Sequence, residues 1–483
     1  MPFSSRGYLA IVLLLQIRVM LAICGGASAG AQPFTFAGNA QHTAVYDVPA
    51  QPLNAIHWSA PIDLDYNAGV LGHYGAPVIS SGNTLVAPVR TTNGFQVTAF
   101  DATTGRFKYT LTTDFITPPY GAKGWFPVYQ PVIANPPSGP RLYYAGAGGT
   151  VYYIEDIDSD NPSAPTRECF YTNLSAYAAN AGGSNGFNNT LFINTPLTAD
   201  SNGVIFFGFR VQLTVSAPLN TTNDGFARLD AAGNGSYVLA GPAAGDSTVF
   251  QDSHNCAPAL SNNGGTLYVP VKGSSNVYLL GLDSVTLATK FRALLLDPSS
   301  GLPADLSDMS TASPVVGPDG DVFFGVVGNP IFNYHGFLLH FSADLRTRKT
   351  PGAFGWDNTA CVVPTNMVPS YGGPSPYLLF SKYNNYGGSS GDGVNRVALL
   401  DPNAAENVPA VVYSGLPFMR EVLTAIGPTP DPTYETPPHN LPYAVREWCV
   451  NTAAVNPARQ SVFAPSEDGH LYCWNLASNS LIQ

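Results

Sequence analysis

Charge is what this chain has least of. Of 483 residues only 11% are Asp, Glu, Lys or Arg, with 21 Lys and Arg against 32 Asp and Glu and a formal net charge of −11. A nucleic-acid partner wants a basic face, so this balance argues against one. It leaves room for a local cationic pocket. Cysteine is scarce as well, at six. Setting aside Cys24, the remaining Cys169, Cys256, Cys361, Cys449 and Cys473 are odd in number, so at least one is unpaired or pairs between chains. No Cys-x-x-Cys spacing occurs, which removes zinc and thioredoxin-type readings. These residues are expected as buried small hydrophobes with one or two disulfides. Beyond residue 31 no stretch is long and apolar enough to span a bilayer.

The first residues have the layout of an export signal. Arg6 precedes an apolar run from Tyr8 to Leu15 and a second from Val19 to Ile23, and small residues follow through Ala31. Cleavage is expected after Ala29 or Ala31, giving a signal peptide over 1–31 and a single domain over 32–483. A lipid anchor at Cys24 is not expected, because Ile23 stands where such sites need a small residue. The mature protein is therefore expected to be secreted or periplasmic.

What the chain has in plenty is Gly (48), Pro (42) and aromatics (12%), the composition of a turn-rich β protein. One unit recurs: polar residues, a small residue or Pro, a short apolar strand, a Gly/Asn turn, an aromatic-rich strand, then a third strand often ending in Asp. Seven copies fill the mature chain, with Pro77, Pro131, Pro196, Pro258, Pro314, Cys361 and Ala454 at one register. The intervals run from 47 to 65 residues, except for a last one of 93. Four short strands and their loops need about this length, so the repeat predicts an all-β, seven-bladed β-propeller. Asp101, Asp230, Asp283, Asp344 and Asp401 close the third strands, where an Asx side chain caps its own turn. Residues 55–63, AIHWSAPID, read as an orphan fourth strand. They are expected to complete the last blade, so that the ring is closed by an N-terminal strand.

Two segments carry a resemblance. FDATTGRFKYTL at 100–111 and FAGNAQHTAVYDVPAQPLNAIHW at 36–58 resemble the repeat and the opening of quinoprotein-like propellers, the pyrroloquinoline-quinone repeat superfamily. That superfamily holds dehydrogenases and non-enzymatic scaffolds, so the resemblance implies the propeller fold and makes pyrroloquinoline quinone with calcium the cofactors to consider. The large dehydrogenases of the group set two adjoining cysteines beside the quinone. No two cysteines adjoin here.

In a propeller the start of each innermost strand and the end of each second strand meet at one axial mouth, where loops carry function. Before the innermost strands stand His73-Tyr74, Tyr129-Gln130, Asn194-Thr195, His254-Asn255, Ser310-Thr311, Asn358-Thr359 and Asn451-Thr452, a ring of hydrogen-bonding groups. The second strands end in Arg90, Arg210, Lys272 and Lys382, with Glu467 equivalent in the last copy. Four of 21 cations at one repeat position point to a mouth that binds an anion, since clustered cations repel until a carboxylate, sulfate or phosphate offsets them. Ligand contacts are expected from Arg90, Arg210, Lys272, Lys382, Tyr129, Asn194, Asn358 and Asn451. Loops 112–127, 173–192 and 416–447 are expected over the same face, the last as a lid.

Three functions fit. One is a secreted propeller binding an anionic small molecule, polysaccharide or partner. A second is a lyase on uronate-containing glycans, with His73 and His254 as bases and Tyr74 donating to the leaving oxygen. The third is a quinoprotein dehydrogenase whose cations hold the cofactor's carboxylates. No metal-ligating set stands out in the sequence, and the oligomeric state is open.

Overall fold

The computed structural model describes residues 34–66, 72–118, 126–306, 312–330, 335–389, 391–407 and 416–482. The export-signal expectation falls on residues outside this set. Seven antiparallel sheets of three or more strands follow one another among the described residues. The first orders Val78–Ile79, Thr84–Thr91, Gly94–Asp101 and Phe107–Thr112, each strand beside the next in sequence. The same meander recurs over 132–169, 191–239, 249–294, 315–341, 361–426 and 454–482. In the fifth sheet the outer strand is reduced to isolated bridges from Leu338 to Gly352 and from Phe341 to Arg348.

Burial falls from the inner strands outward. The central strands Ile205–Val211, Val277–Asp283 and Phe337–Phe341 are buried on both faces and are mostly apolar, broken only by Arg210, Asp283 and His340. The outer strands Phe107–Thr112, Gly235–Leu239 and Ser480–Ile482 are half exposed and carry polar residues. Apolar clusters join the sheets face to face in sequence order, from first and second through to sixth and seventh. Sheets stacked this way around their short inner strands make a β-propeller. No helix among the described residues is long and apolar enough to cross a membrane.

The strand-end carboxylates cap their turns as expected. Asp101 Oδ1 accepts from the Thr103 and Thr104 N–H groups, Asp230 from Ala232 and Asn234, and Asp283 from Val285 and Thr286. Asp344 and Asp401 do the same for Arg346 and Asn403.

Three expectations are corrected. The seventh sheet draws its fourth strand, Ser480–Ile482, from the C-terminus, so residues 55–63 do not complete it. Those residues lie against the first sheet instead: Trp58 Nε1 donates to Ala102 O at 3.1 Å, and its ring covers Gly105, where an added Cβ would meet the indole at 2.5 Å. The N-terminal segment does reach the seventh sheet, but at its inner edge, through a parallel bridge from Val45 to Val455. Next, the lid expected over 416–447 begins as a strand, because Pro417–Ile426 forms the outer edge of the sixth sheet. Finally, all five described cysteines are unpaired, four of them buried and Cys449 exposed.

Candidate functional site

Arg90, Arg210, Lys272 and Lys382 are each the penultimate residue of the second strand in their sheet, so the structure keeps them at one position on one face. Each also has a carboxylate neighbour. Arg90 is clamped by Asp63 at 3.3 Å and Asp65 at 2.8 Å, both on the segment that runs over the first sheet. Lys272 Nζ lies 3.6 Å from Asp305, and Lys382 Nζ lies 3.9 Å from Asp357. The Arg210 charge acts on the carboxyls of Asp224 and Asp252. The mouth is therefore not a ring of uncompensated positive charge; its cations are offset where they stand.

The polar residues ahead of the inner strands tie neighbouring sheets together. Asn255 N donates to Asn194 O at 2.9 Å, Ala257 N to Ser313 Oγ at 2.9 Å, and Ser313 N to Thr359 Oγ1 at 2.9 Å. Thr359 N donates to Asn451 O at 2.8 Å, and its hydroxyl to Asn451 Oδ1 at 3.0 Å. Ala453 N donates to Cys361 Sγ at 3.2 Å. A belt of hydrogen bonds thus runs from the third sheet to the seventh. Asn358 works within its own sheet, donating to Ser381 Oγ at 3.1 Å and accepting from Lys382 N at 3.2 Å.

Four of the residues named from sequence converge between the second and fourth sheets. Tyr129 Oη stands 3.3 Å from His254 Nδ1, and Asn194 Nδ2 donates to Asp252 Oδ1. Arg210 faces the same acids. The sequence reading missed the acids themselves. Asp252 lies two residues before His254, and Asp224 accepts from Val211 N at 2.7 Å. Burial pushes Asp224 up to about 7, and burial with the neighbouring Asp224 charge lifts Asp252 well above the usual carboxylate range. Two buried carboxyls in contact share one proton more easily than they hold two charges. Apart from the half-buried Arg210, these groups lie beneath the surface, with Tyr129 at 6% exposure and His254 at 2%. The side chains of His73 and Tyr74, like Tyr120, Lys123, Trp125, Ser310 and Thr311, lie outside the described residues; Gly72–Tyr74 pairs in parallel with Phe126–Val128 through its backbone.

A second cluster surrounds Lys382, between the fifth and seventh sheets. Its side chain is 4% exposed, and the ammonium sits 5.7 Å from the Phe354 ring centre and 5.9 Å from that of Trp356. Tyr386 packs edge-on against Trp356 and His335, and His335 against Phe354. Burial holds His335 down to about 4, so this imidazole is neutral. Glu447 and Glu467 adjoin, with Glu467 N donating to Glu447 O at 3.0 Å. Burial, then the Glu467 charge, pushes Glu447 up to about 7, while the Lys382 charge pulls it down. Cys449 is exposed as a residue, but neighbouring groups shield its sulfur from water, which raises the thiol to about 11, the Lys382 charge opposing. The result is a nearly buried cation, aromatic walls, and a carboxyl that changes charge near neutrality, the features that mark functional sites. From sequence, Lys382 and Glu467 were visible by their repeat position; Asp357, adjoining Asn358, offered no periodic cue.

A quinone held by calcium needs several oxygen ligands around the ion. Among the described residues no group of three or more His, Cys, Asp or Glu is placed to hold a metal ion.

No family model matches the chain, and no curated protein matches it. Several solved structures are similar in shape. BamB from Moraxella catarrhalis is 13% identical, with a TM-score of 0.44 over 85% of this chain and 87% of its own. Quinohemoprotein alcohol dehydrogenase from Comamonas testosteroni is 11% identical, with a TM-score of 0.49 over 94% and 73%. The Dos1 propeller is 10% identical, with a TM-score of 0.44 over 83% and 77%.

Proposed function

We propose that this chain is an exported β-propeller that binds an anionic group, carboxylate, sulfate or phosphate, of a small molecule or acidic polysaccharide at one axial mouth, in the sector of Lys382. One observation carries the reading. A nearly buried ammonium has its carboxylate neighbour at 3.9 Å, longer than a charge-assisted hydrogen bond, and rests over two aromatic rings. A lysine has three donors, and removing it from water is costly unless those donors find oxygen. An incoming anion supplies that oxygen, while Phe354 and Trp356 exclude water around it. Arg90, clamped from two sides, has less to offer.

Trp356 lies close enough to report binding by its fluorescence. Titration with galacturonate, sulfate and phosphate should change the emission of the wild type, and Lys382→Met should weaken the response at least about ten-fold, the loss of one charge-assisted contact. Equal responses from the two proteins would sink the reading.

The Tyr129 and His254 contact favours the β-elimination alternative, as it pairs an acid with a base. Their burial keeps them from a polymer chain, so binding is the preferred function. Release of an unsaturated uronate, followed by its ultraviolet absorbance, would reverse that preference.

A further inference from the structure

Five inner strands turn a main-chain N–H toward the axis, and one short segment accepts them all. Phe34 O takes Ile133, Ala40 O takes Leu260, Gln41 O takes Val316, Thr43 O takes Val362 and Ala44 O takes Val455, at 2.7 to 2.9 Å. The third sheet joins through Thr35 Oγ1, which donates to Leu197 O at 3.2 Å. Residues 34–46 thus touch six of the seven sheets from inside the ring. Unpaired inner edges would otherwise leave these N–H groups without partners in a narrow channel.

The segment is a compact knot. Ala44 N donates to Ala37 O and His42 N to Asn39 O, and the Asn39 side chain accepts from Gln41 N and Thr43 N. His42 is fully buried, with Nδ1 donating to Pro314 O at 2.8 Å. Ala37, His42 and Ala44 have φ of +49°, +60° and +56°. An L residue with a Cβ disfavours that region, so a free peptide does not hold this shape; its contacts with the sheets impose it. Recognition runs through main-chain carbonyls and the Thr35, Gln41 and His42 side chains, as when a receptor holds a bound peptide. The chain leaves the knot through Gln51, Pro52 and Asn54 to His57, all exposed.

We infer that the axial channel is a peptide-binding site occupied by the chain's own residues 34–46, a stopper that the same peptide supplied from outside can replace. The inference is independent of the anion site, which lies on side chains of the mouth.

The test places a specific protease recognition sequence within residues 52–56 of the full chain and cuts it there. The N-terminal fragment is expected to stay with the ring through gel filtration, and about a hundred-fold excess of a labelled peptide spanning 34–48 to replace it. Hydrogen exchange at Ile133, Leu260, Val316, Val362 and Val455 should stay slow while either peptide is bound and rise roughly ten-fold or more once the channel is empty. Two outcomes overturn the inference. In one, the fragment leaves and the five amides stay protected. In the other, labelled peptide enters only when the whole protein unfolds, which makes the segment a fixed part of the core. Ala44→Leu, a larger side chain at a fully buried left-handed position, supplies a second reading: in the cut chain it should lower retention about ten-fold, and undiminished retention counts against the site.

Discussion

At the scale of single residues, the raised carboxyls dominate. Glu447 titrates near 7 beside Lys382, so its charge opposes an anion above that pH and disappears below it. Anion affinity should therefore rise as pH falls from 8 to 6, by at most about ten-fold per unit for one linked proton. Glu447→Gln should flatten the profile at the high-affinity level, as measured by the Trp356 fluorescence titration. A wild-type profile already flat would remove Glu447 from the site. Asp252 makes the opposite kind of prediction, about stability. Its folded pKa lies well above the unfolded value, so the native state holds a proton that the unfolded chain releases above about pH 4. Stability from this group is present at low pH and lost as pH rises toward the folded value. Asp252→Asn keeps the acceptor for Asn194 and adds a donor toward Asp224, so it should raise the melting temperature at pH 8 by on the order of 2 °C or more. At pH 4 it should change little. A lower melting temperature at pH 8 would mean the pair is not proton-sharing.

The strand and sheet scale explains what the sequence could and could not tell. The Asp-capped turns were legible because each cap reaches only two to four residues along its own chain. The four cations were legible because a sheet's second strand always ends at the same height, which turns a repeat position into a place in space. Their counter-ions were not, because Asp63, Asp305 and Asp357 come from neighbouring segments that follow no repeat. The strand hidden in the expected lid has a similar cause. The third strand of the sixth sheet runs on past Asp401 to Asn407 through a register irregularity between Asp401 and Ala405, so its pairing with Pro417–Ile426 resumes beyond the turn signal at Asp401. Of the polar groups expected before the inner strands, Asn194, Asn255, Thr359 and Asn451 fasten sheet to sheet. Thr359 bonds to both neighbouring sheets, taking the Ser313 N–H and giving its hydroxyl to Asn451. Thr359→Val preserves shape and strands a buried N–H, so it should cost about 3 kcal/mol in denaturant unfolding. Thr359→Ser, which keeps the hydroxyl, should recover most of that. Equal losses in the two variants would show that packing of the methyl group, and not the belt, matters.

For the whole molecule, the question is what holds an acidic, charge-poor chain together with no disulfide among the described residues. Six apolar interfaces between consecutive sheets and the knot on the axis answer it, since a fold of this size buries enough apolar surface to need no disulfide. One or two disulfides were expected among the five cysteines beyond residue 31. The geometry disagrees: Cys169, Cys256, Cys361 and Cys473 are buried and unpaired, and Cys361 serves as an acceptor within the belt. Reducing agent should therefore leave the melting temperature unchanged. A thiol-reactive dye should label one cysteine, Cys449, in the native protein and all five of Cys169, Cys256, Cys361, Cys449 and Cys473 after denaturation. Because the Cys449 thiol is held at about 11, native labelling at pH 7 should be slow and should quicken as pH rises, the reverse of an activated nucleophile. A drop in melting temperature on reduction, or native labelling that is fast at pH 7, would show that a cysteine here does more than fill space.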